Sequence, residues 1–162
     1  MPACKRARLT GTIRVPLPPQ LAFTLFTPTG ERAWAPGWAP RFPSPVIDDT
    51  EPGTVFQTEH NGRHTTWTVI RRETGKEIAY VTVTAEGRAG LVTVTCEPAT
   101  DETTTATVGY DLTALTPEAN ADLDEFAANY PQLLDHWQHS IAQAVTGRQI
   151  TSDQRPDRDR PH

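Results

Sequence analysis

The chain is short of several things, and each shortage excludes a class of protein. It has two cysteines in 162 residues, Cys4 and Cys96, too few for a disulfide-stapled scaffold. Cys96 falls on the apolar side of an expected strand and reads as a small core residue. No stretch approaches the roughly 18–20 apolar residues of a membrane-spanning helix. The opening Met-Pro-Ala-Cys-Lys-Arg-Ala-Arg has positive charge but no apolar run behind it, so it does not read as a secretory signal, and a cytoplasmic location is expected. Lys and Arg number 15 against 20 Asp and Glu, a net charge of −5. That balance leaves no basic face for a nucleic-acid partner. The cluster Lys5, Arg6 and Arg8 reads as a solvated terminus, with residues 1–7 flexible. There is no Ser-His-Asp order, no glycine-rich phosphate loop and no Cys-x-x-Cys. No cofactor and no metal is expected, and the oligomeric state is left open.

What is present is an order of parts. Hydrophobic residues make up 36% of the chain, enough for one domain with a core, placed over residues 8–147. Residues 8–15 alternate as a first strand, stopped by Pro16, Pro18 and Pro19. Residues 18–27 read as a short helix with Leu21, Ala22, Leu25 and Phe26 on its apolar side. Five alternating stretches then occupy residues 53–60, 64–72, 77–84, 89–97 and 103–115. Asn61-Gly62 is a hairpin signal between the first two, and the short connections favour an antiparallel meander. Ala106, Val108, Tyr110 and Leu112 share one face with Val92, Val94 and Cys96 of the strand before. Residues 77–84 are ambiguous, since Ile78 and Tyr80 fall opposite Val81 and Val83. In the first hairpin Phe56, Thr58, His60, Trp67 and Val69 are placed inside.

One long helix follows, 117–145, capped by Thr116 with Pro117 and Glu118 in the first turn. Leu123, Phe126, Tyr130, Leu133 or Leu134, Trp137, Ile141 and Val145 form its buried stripe. Pro131 removes a hydrogen bond to Ala127 and predicts a kink. Gly147 is expected to end the helix, and the polar run 148–162 to be a disordered tail.

This order has a geometric consequence. Five to seven strands about 4.8 Å apart make a sheet roughly 25–30 Å wide, whereas a helix is about 10–12 Å across. One helix cannot cover a flat sheet of that width. The sheet must curl, and the space left over becomes a cavity suited to an apolar small molecule.

The loop 28–45 carries Trp34, Trp38 and Phe42 among Pro36, Pro40, Pro43 and Pro45. That proline density forbids a helix interior or a central strand, while the aromatics argue for an ordered loop, either a lid over a site or a plug in the core. Individual chemistry is sparse. His60 on an inner face would suit a general base, although with His64 it also reads as an exposed hairpin end, the preferred reading. Asp135, His136 and His139 lie on the solvent side of the helix and lack a further ligand. Tyr110, Trp67 and Tyr130 combine an apolar body with a polar handle, suiting them to orient a ligand or simply to pack. Glu31 and Arg32 read as charge at a cavity mouth or as an exposed pair.

Several segments resemble the START/SRPBCC superfamily, including its polyketide cyclase/dehydratase-like branch. Val15-Pro16-Leu17-Pro18-Pro19-Gln20-Leu21-Ala22-Phe23 resembles its strand-end proline and first helix. Gly53-Thr54-Val55-Phe56 resembles the opening of its hairpin, and Thr107-Val108-Gly109-Tyr110 its threonine-rich last strand. The run to Trp137 resembles its closing helix, and the Trp-x-x-Gly-Trp spacing within residues 31–38 its working loop. The resemblance spans residues 8–145. It implies an α+β helix-grip fold, a curved antiparallel sheet of six to seven strands wrapped around the C-terminal helix. It implies binding of lipids, sterols or polyketides, with or without cyclase or dehydratase chemistry, and supplies no catalytic motif. The expected ligand contacts are Trp34, Trp38, Phe56, Thr58, His60, Trp67, Val81, Val94, Val108, Tyr110, Phe126, Tyr130 and Trp137. The alternatives are catalysis on such a ligand, or a protein-interaction surface built on Trp34 and Trp38.

Overall fold

The computed structural model describes residues 3–153, with side chains through Gly147. Six strands form one antiparallel sheet: β1 (Arg6–Val15), β2 (Val55–His60), β3 (Arg63–Glu73), β4 (Glu77–Thr84), β5 (Arg88–Pro98) and β6 (Thr104–Ala114). Their order is β1-β6-β5-β4-β3-β2, a meander whose last strand takes β1 on its free edge. Three helices complete the fold: α1 (Pro19–Thr24), α2 (Asn120–Ala128) and α3 (Tyr130–Asp153). This is the expected α+β helix-grip arrangement. No helix among the described residues is long and apolar enough to cross a membrane.

The turns follow local chemistry. Asn61 and Gly62 take φ of 52° and 78°, the paired positive values of a tight hairpin turn whose twist matches the flanking strands. They set the register in which His60 pairs with Arg63 and Phe56 with Trp67. Register then shifts between Val69 and Arg71. The bulge turns Ile70 outward while Val69 stays buried, which bends the strand as bulges do.

Residues 77–84 resolve in favour of Ile78 and Tyr80. Tyr80 pairs with Val69 and Val92 across the two neighbouring strands, all three buried. Val81 pairs instead with Thr68 and Leu91. Leu91 and Val83 are 40% and 41% exposed, so Val81 belongs to the outer face and is withdrawn from the ligand contacts. The strand is apolar on both sides, so alternation alone did not orient it.

Four further expectations change. The first strand starts at Arg6, because Arg6 and Ala7 pair with Thr113 and Leu112 and the Lys5 amide donates to Asn120 Oδ1 at 2.7 Å. The terminus is thus tied down earlier than its charge suggested. In α1 the buried side chains are Ala22 and Phe23, followed by Leu25 and Phe26, while Leu21 is exposed. The C-terminal helix is two helices. Thr116 caps it as expected, its hydroxyl accepting from the Ala119 amide at 3.2 Å. After Ala128, Asn129 leaves helical geometry at φ −96°, ψ 5°, and α3 begins at Tyr130 with Pro131 in its first turn. A proline there forfeits no bond within α3 and cannot continue α2, so the chain breaks instead of kinking. Gly147 does not end α3, which runs to Asp153. The remainder of the expected tail, 154–162, lies outside the described residues.

The placement of α3 decides where the fold is solid. It packs chiefly on β1, at the edge of the sheet. A Cβ on Gly11 would lie 2.4 Å from Leu134 Cδ1. Glycine at that point lets helix and strand approach closely. Tyr130, Leu134, Ile141 and Val145 are buried there. Across β2 to β4 the covering element is the proline-rich loop. It makes a single helical turn at Gly30–Ala33 and an isolated two-bond bridge between Arg41 and Gln57.

Candidate functional site

Between the sheet, the loop and α3 lies a cavity of about 320 Å³, within the roughly 300–1,000 Å³ range of ligand pockets. Its aromatic walls form two groups. On the helix side Trp137 meets Trp34 at 5.2 Å between ring centroids and Tyr110 at 6.4 Å, and Tyr110 meets Phe126 at 5.2 Å. On the hairpin side Trp67 stacks on Phe56 at 5.8 Å and meets Trp38 at 5.6 Å and Tyr80 at 6.0 Å. The loop supplies one tryptophan to each group. It is therefore a wall of the cavity.

Most polar handles in these walls are satisfied by the protein. Trp34 Nε1 donates to the Leu25 carbonyl and Trp38 Nε1 to the Pro28 carbonyl, each at 2.7 Å. Trp67 Nε1 donates to Thr58 Oγ1 at 2.9 Å. The Tyr80 hydroxyl donates to the Phe26 carbonyl at 2.8 Å, and that of Tyr130 to the Val108 carbonyl at 2.7 Å. Of the two readings open for these residues, Trp67 and Tyr130 thus take the packing one, with their polar ends bonded within the protein. Burial pushes the Tyr130 hydroxyl up to about 12, so it remains a neutral donor.

Of the expected contacts, Trp34, Trp38, Thr58, His60, Trp67, Val94, Tyr110, Phe126 and Trp137 line the cavity. Phe56, Val108 and Tyr130 are buried one layer behind it. They hold its walls and do not reach its space. His60 stands at an exposed rim, with Nε2 3.2 Å from Asn61 Nδ2. Asp135, His136 and His139 are exposed on α3.

Three polar side chains line the cavity without a hydrogen-bond or ion-pair partner among the described residues: Tyr110, an expected contact, Glu31, read as charge at a cavity mouth or an exposed pair, and Arg88, which was not expected. Glu31 turns inward, whereas its neighbour Arg32 is exposed. No cation pairs with Glu31 among the described residues, and burial raises its pKa well above the ordinary carboxyl range. Removing a carboxyl from water without a counter-charge favours its protonated form. Tyr110 also lines the cavity, and its hydroxyl has no hydrogen-bond partner among the described residues. Burial chiefly, then the nearby Glu31 charge, pushes its pKa up. Arg88 completes the set, its Cζ 4.2 Å from the centre of the Phe126 ring. Burial lowers its pKa from the usual guanidinium value, while Tyr110 and Asp122 act to raise it.

Arg88 carried a legible signal: it has the same strand parity as Val92, Val94 and Cys96, all inward. Glu31 and Arg32 were legible as charge at a cavity mouth or an exposed pair, but a Glu-Arg pair in a loop gives no indication of which side chain turns in. A wider depression of about 470 Å³ lies along residues 43–48 and 51–55. It is formed by surface loop around the fully exposed Ile47, away from the grip.

Solved structures share this fold. By structure the chain is similar to an uncharacterised protein from Rhizobium leguminosarum, with TM-score 0.63 and 16% identity over 87% of this chain and 97% of that one. It is similar to a protein from Rhodobacter sphaeroides, with TM-score 0.61 and 20% identity over 90% and 99% of the two chains. It is also similar to norcoclaurine synthase from Thalictrum flavum, with TM-score 0.61 and 12% identity over 90% and 96%. That synthase has been solved in complex with dopamine and hydroxybenzaldehyde. At these identities the likeness is one of fold. The sequence matches no curated protein. A family does match, over residues 6–136, from the first strand to the first turns of α3: it is described as polyketide cyclase / dehydrase and lipid transport, and the chain belongs to it.

Proposed function

We propose that the protein binds a hydrophobic small molecule of lipid or polyketide-like character in the cavity between the sheet and the C-terminal helix, with residues 28–45 as one wall. The observation that carries this reading is the hollow itself. Some 320 Å³ is bordered by all four tryptophans of the chain, and three of the four indole N–H groups are already bonded within the protein. Such walls offer large, pre-organised apolar faces to a guest. The test is mass spectrometry of small molecules released on denaturing the purified protein, with melting curves for a panel of hydrophobic compounds. A released ligand, or a melting temperature that climbs with added compound, is the expected result. Absence of both, with Ala35→Trp melting like the parent, would overturn it.

A second reading, cyclase-like chemistry on the bound molecule, is favoured by Glu31 and Tyr110. Both face the same space without a protein partner among the described residues. A carboxyl held protonated by burial can donate a proton or a hydrogen bond to a ligand oxygen. Glu31→Gln would then stop conversion of the released compound while leaving its binding in place. The third alternative, a protein-interaction surface on Trp34 and Trp38, loses its motive, since Trp34 is buried and both indoles are pinned inward.

A further inference from the structure

Arg88 begins β5 and points along the inner face of the sheet into the cavity. The Phe126 ring covers one side of its guanidinium plane, an arrangement that holds the cation without consuming its N–H donors. Those donors have no hydrogen-bond acceptor, and no carboxylate lies within 4 Å, among the described residues. Of the carboxyls that line this cavity and the space beside it, Glu31 has no cation within 4 Å among the described residues, and its burial favours the neutral, protonated form; the other two are engaged with other residues. Asp122 stands 3.5 Å from Arg63, and Glu59 stands 3.2 Å from His64.

Arg88 also marks a boundary. A second, more polar space of about 280 Å³ is lined by His60, Arg63, Thr65, Arg88 and Asp122, among others. His60, Thr65 and Arg88 line both spaces. The inner cavity is therefore largely aromatic and apolar, with the Glu31 carboxyl in one wall and Arg88, without an ion-pair partner among the described residues, where it meets the more polar space. The Tyr110 ring lies 5.2 Å from the same Phe126 ring that covers Arg88, and its hydroxyl is a second donor lining the cavity. Partial burial of a cation costs free energy unless an anion compensates it.

We propose that the cavity takes an amphipathic organic acid, its aromatic or otherwise apolar body among the tryptophans and its oxyanion against Arg88. This rests on the reading of the cavity as a ligand site and adds the charge of the guest. A planar guanidinium pairs with a carboxylate or sulfonate through two parallel bonds. A neutral guest of the same shape leaves Arg88 without a counter-charge. An inorganic anion would satisfy Arg88 but leave the apolar walls unfilled.

Two dyes that differ in charge separate the possibilities: anilinonaphthalene sulfonate and its uncharged counterpart phenylnaphthylamine, titrated by fluorescence on the intact chain. The wild type is expected to bind the sulfonate about tenfold more tightly or better, the scale of one charge-assisted hydrogen bond. Arg88→Met, which keeps an apolar contact with Phe126, should lose that preference by weakening only the sulfonate. Arg88→Lys should recover part of it. Arg14→Met, at an exposed position on β1, should change neither. Equal binding of both dyes by the wild type, or an unchanged ratio in a folded Arg88→Met, overturns the inference and leaves the cavity reading standing. Binding of neither dye overturns both. The wild-type ratio needs no variant, so a misfolded Arg88→Met still leaves a decision.

Discussion

One sheet has two undersides. Beneath β1 the chain is closed, because α3 lies so near β1 that a methyl group on Gly11 would meet Leu134. Toward β2 to β4 it is hollow, because the cover there is a proline-stiffened loop with tryptophans as spacers. The closed half fixes the helix, and the fixed helix holds the hollow half open. A helix free to slide toward the middle of the sheet would fill the cavity with its own side chains. Stability and binding capacity therefore reside in different places, and substitutions in the two halves should behave differently.

The sharpest contrast is between neighbours on α3. Leu134 is buried against β1 and Leu133 lines the cavity. Leu134→Ala should cost about 2–5 kcal/mol, as for other packed leucines. Leu133→Ala enlarges a space that already exists and should cost about 1 kcal/mol or less. Denaturant titration of both decides the matter, and equal costs would mean that the cavity is not hollow. Overpacking the closed half comes next. Gly11→Val should destabilise by about 1–3 kcal/mol through displacement of α3, and in a ligand assay it should weaken binding although residue 11 does not touch the cavity.

The third effect appears as a slope. The folded-state pKa of Glu31 is raised, so the native protein holds this proton more tightly than the unfolded chain does. The associated stability is complete below the ordinary carboxyl pKa and is lost as pH rises through the raised value. Glu31→Gln cannot ionise. Its stability relative to the wild type should therefore grow across that interval and vanish at lower pH. Parallel curves of stability against pH would show that Glu31 is not desolvated. The smallest effect is expected on the outer side of α3, where His136→Ala and His139→Ala should each stay within about 0.5 kcal/mol of wild type.

How legible all this was depended on the kind of residue. Val92, Val94 and Cys96, and their partners on β6, declared their face by strict alternation. Ile78 and Tyr80 did not, because β4 is apolar on both faces and only its pairing with β3 and β5 orients it. Tyr110 was legible as a cavity residue with a polar end. Trp67 and Tyr130 were legible as inward aromatics, but the partners of their polar ends, Thr58 and Val108, come from other elements. Arg88 could have been found by parity. That Glu31 and not Arg32 turns inward could not, since a loop has no period.

From the sequence alone came what depends on neighbours along the chain: strand periods, the Asn-Gly turn, the Thr116 cap, the proline-rich segment that could be neither helix nor central strand, and a sheet too wide for one helix to cover. Tertiary structure alone decided where the helix sits on that sheet, how α2 and α3 divide at Asn129, and which charged groups turn into the remaining space. Periodicity is a property of consecutive residues and is written in their order. The inward turn of Glu31, the counter-charge missing from Arg88 and the close approach of Leu134 to Gly11 each depend on atoms brought together from distant parts of the chain.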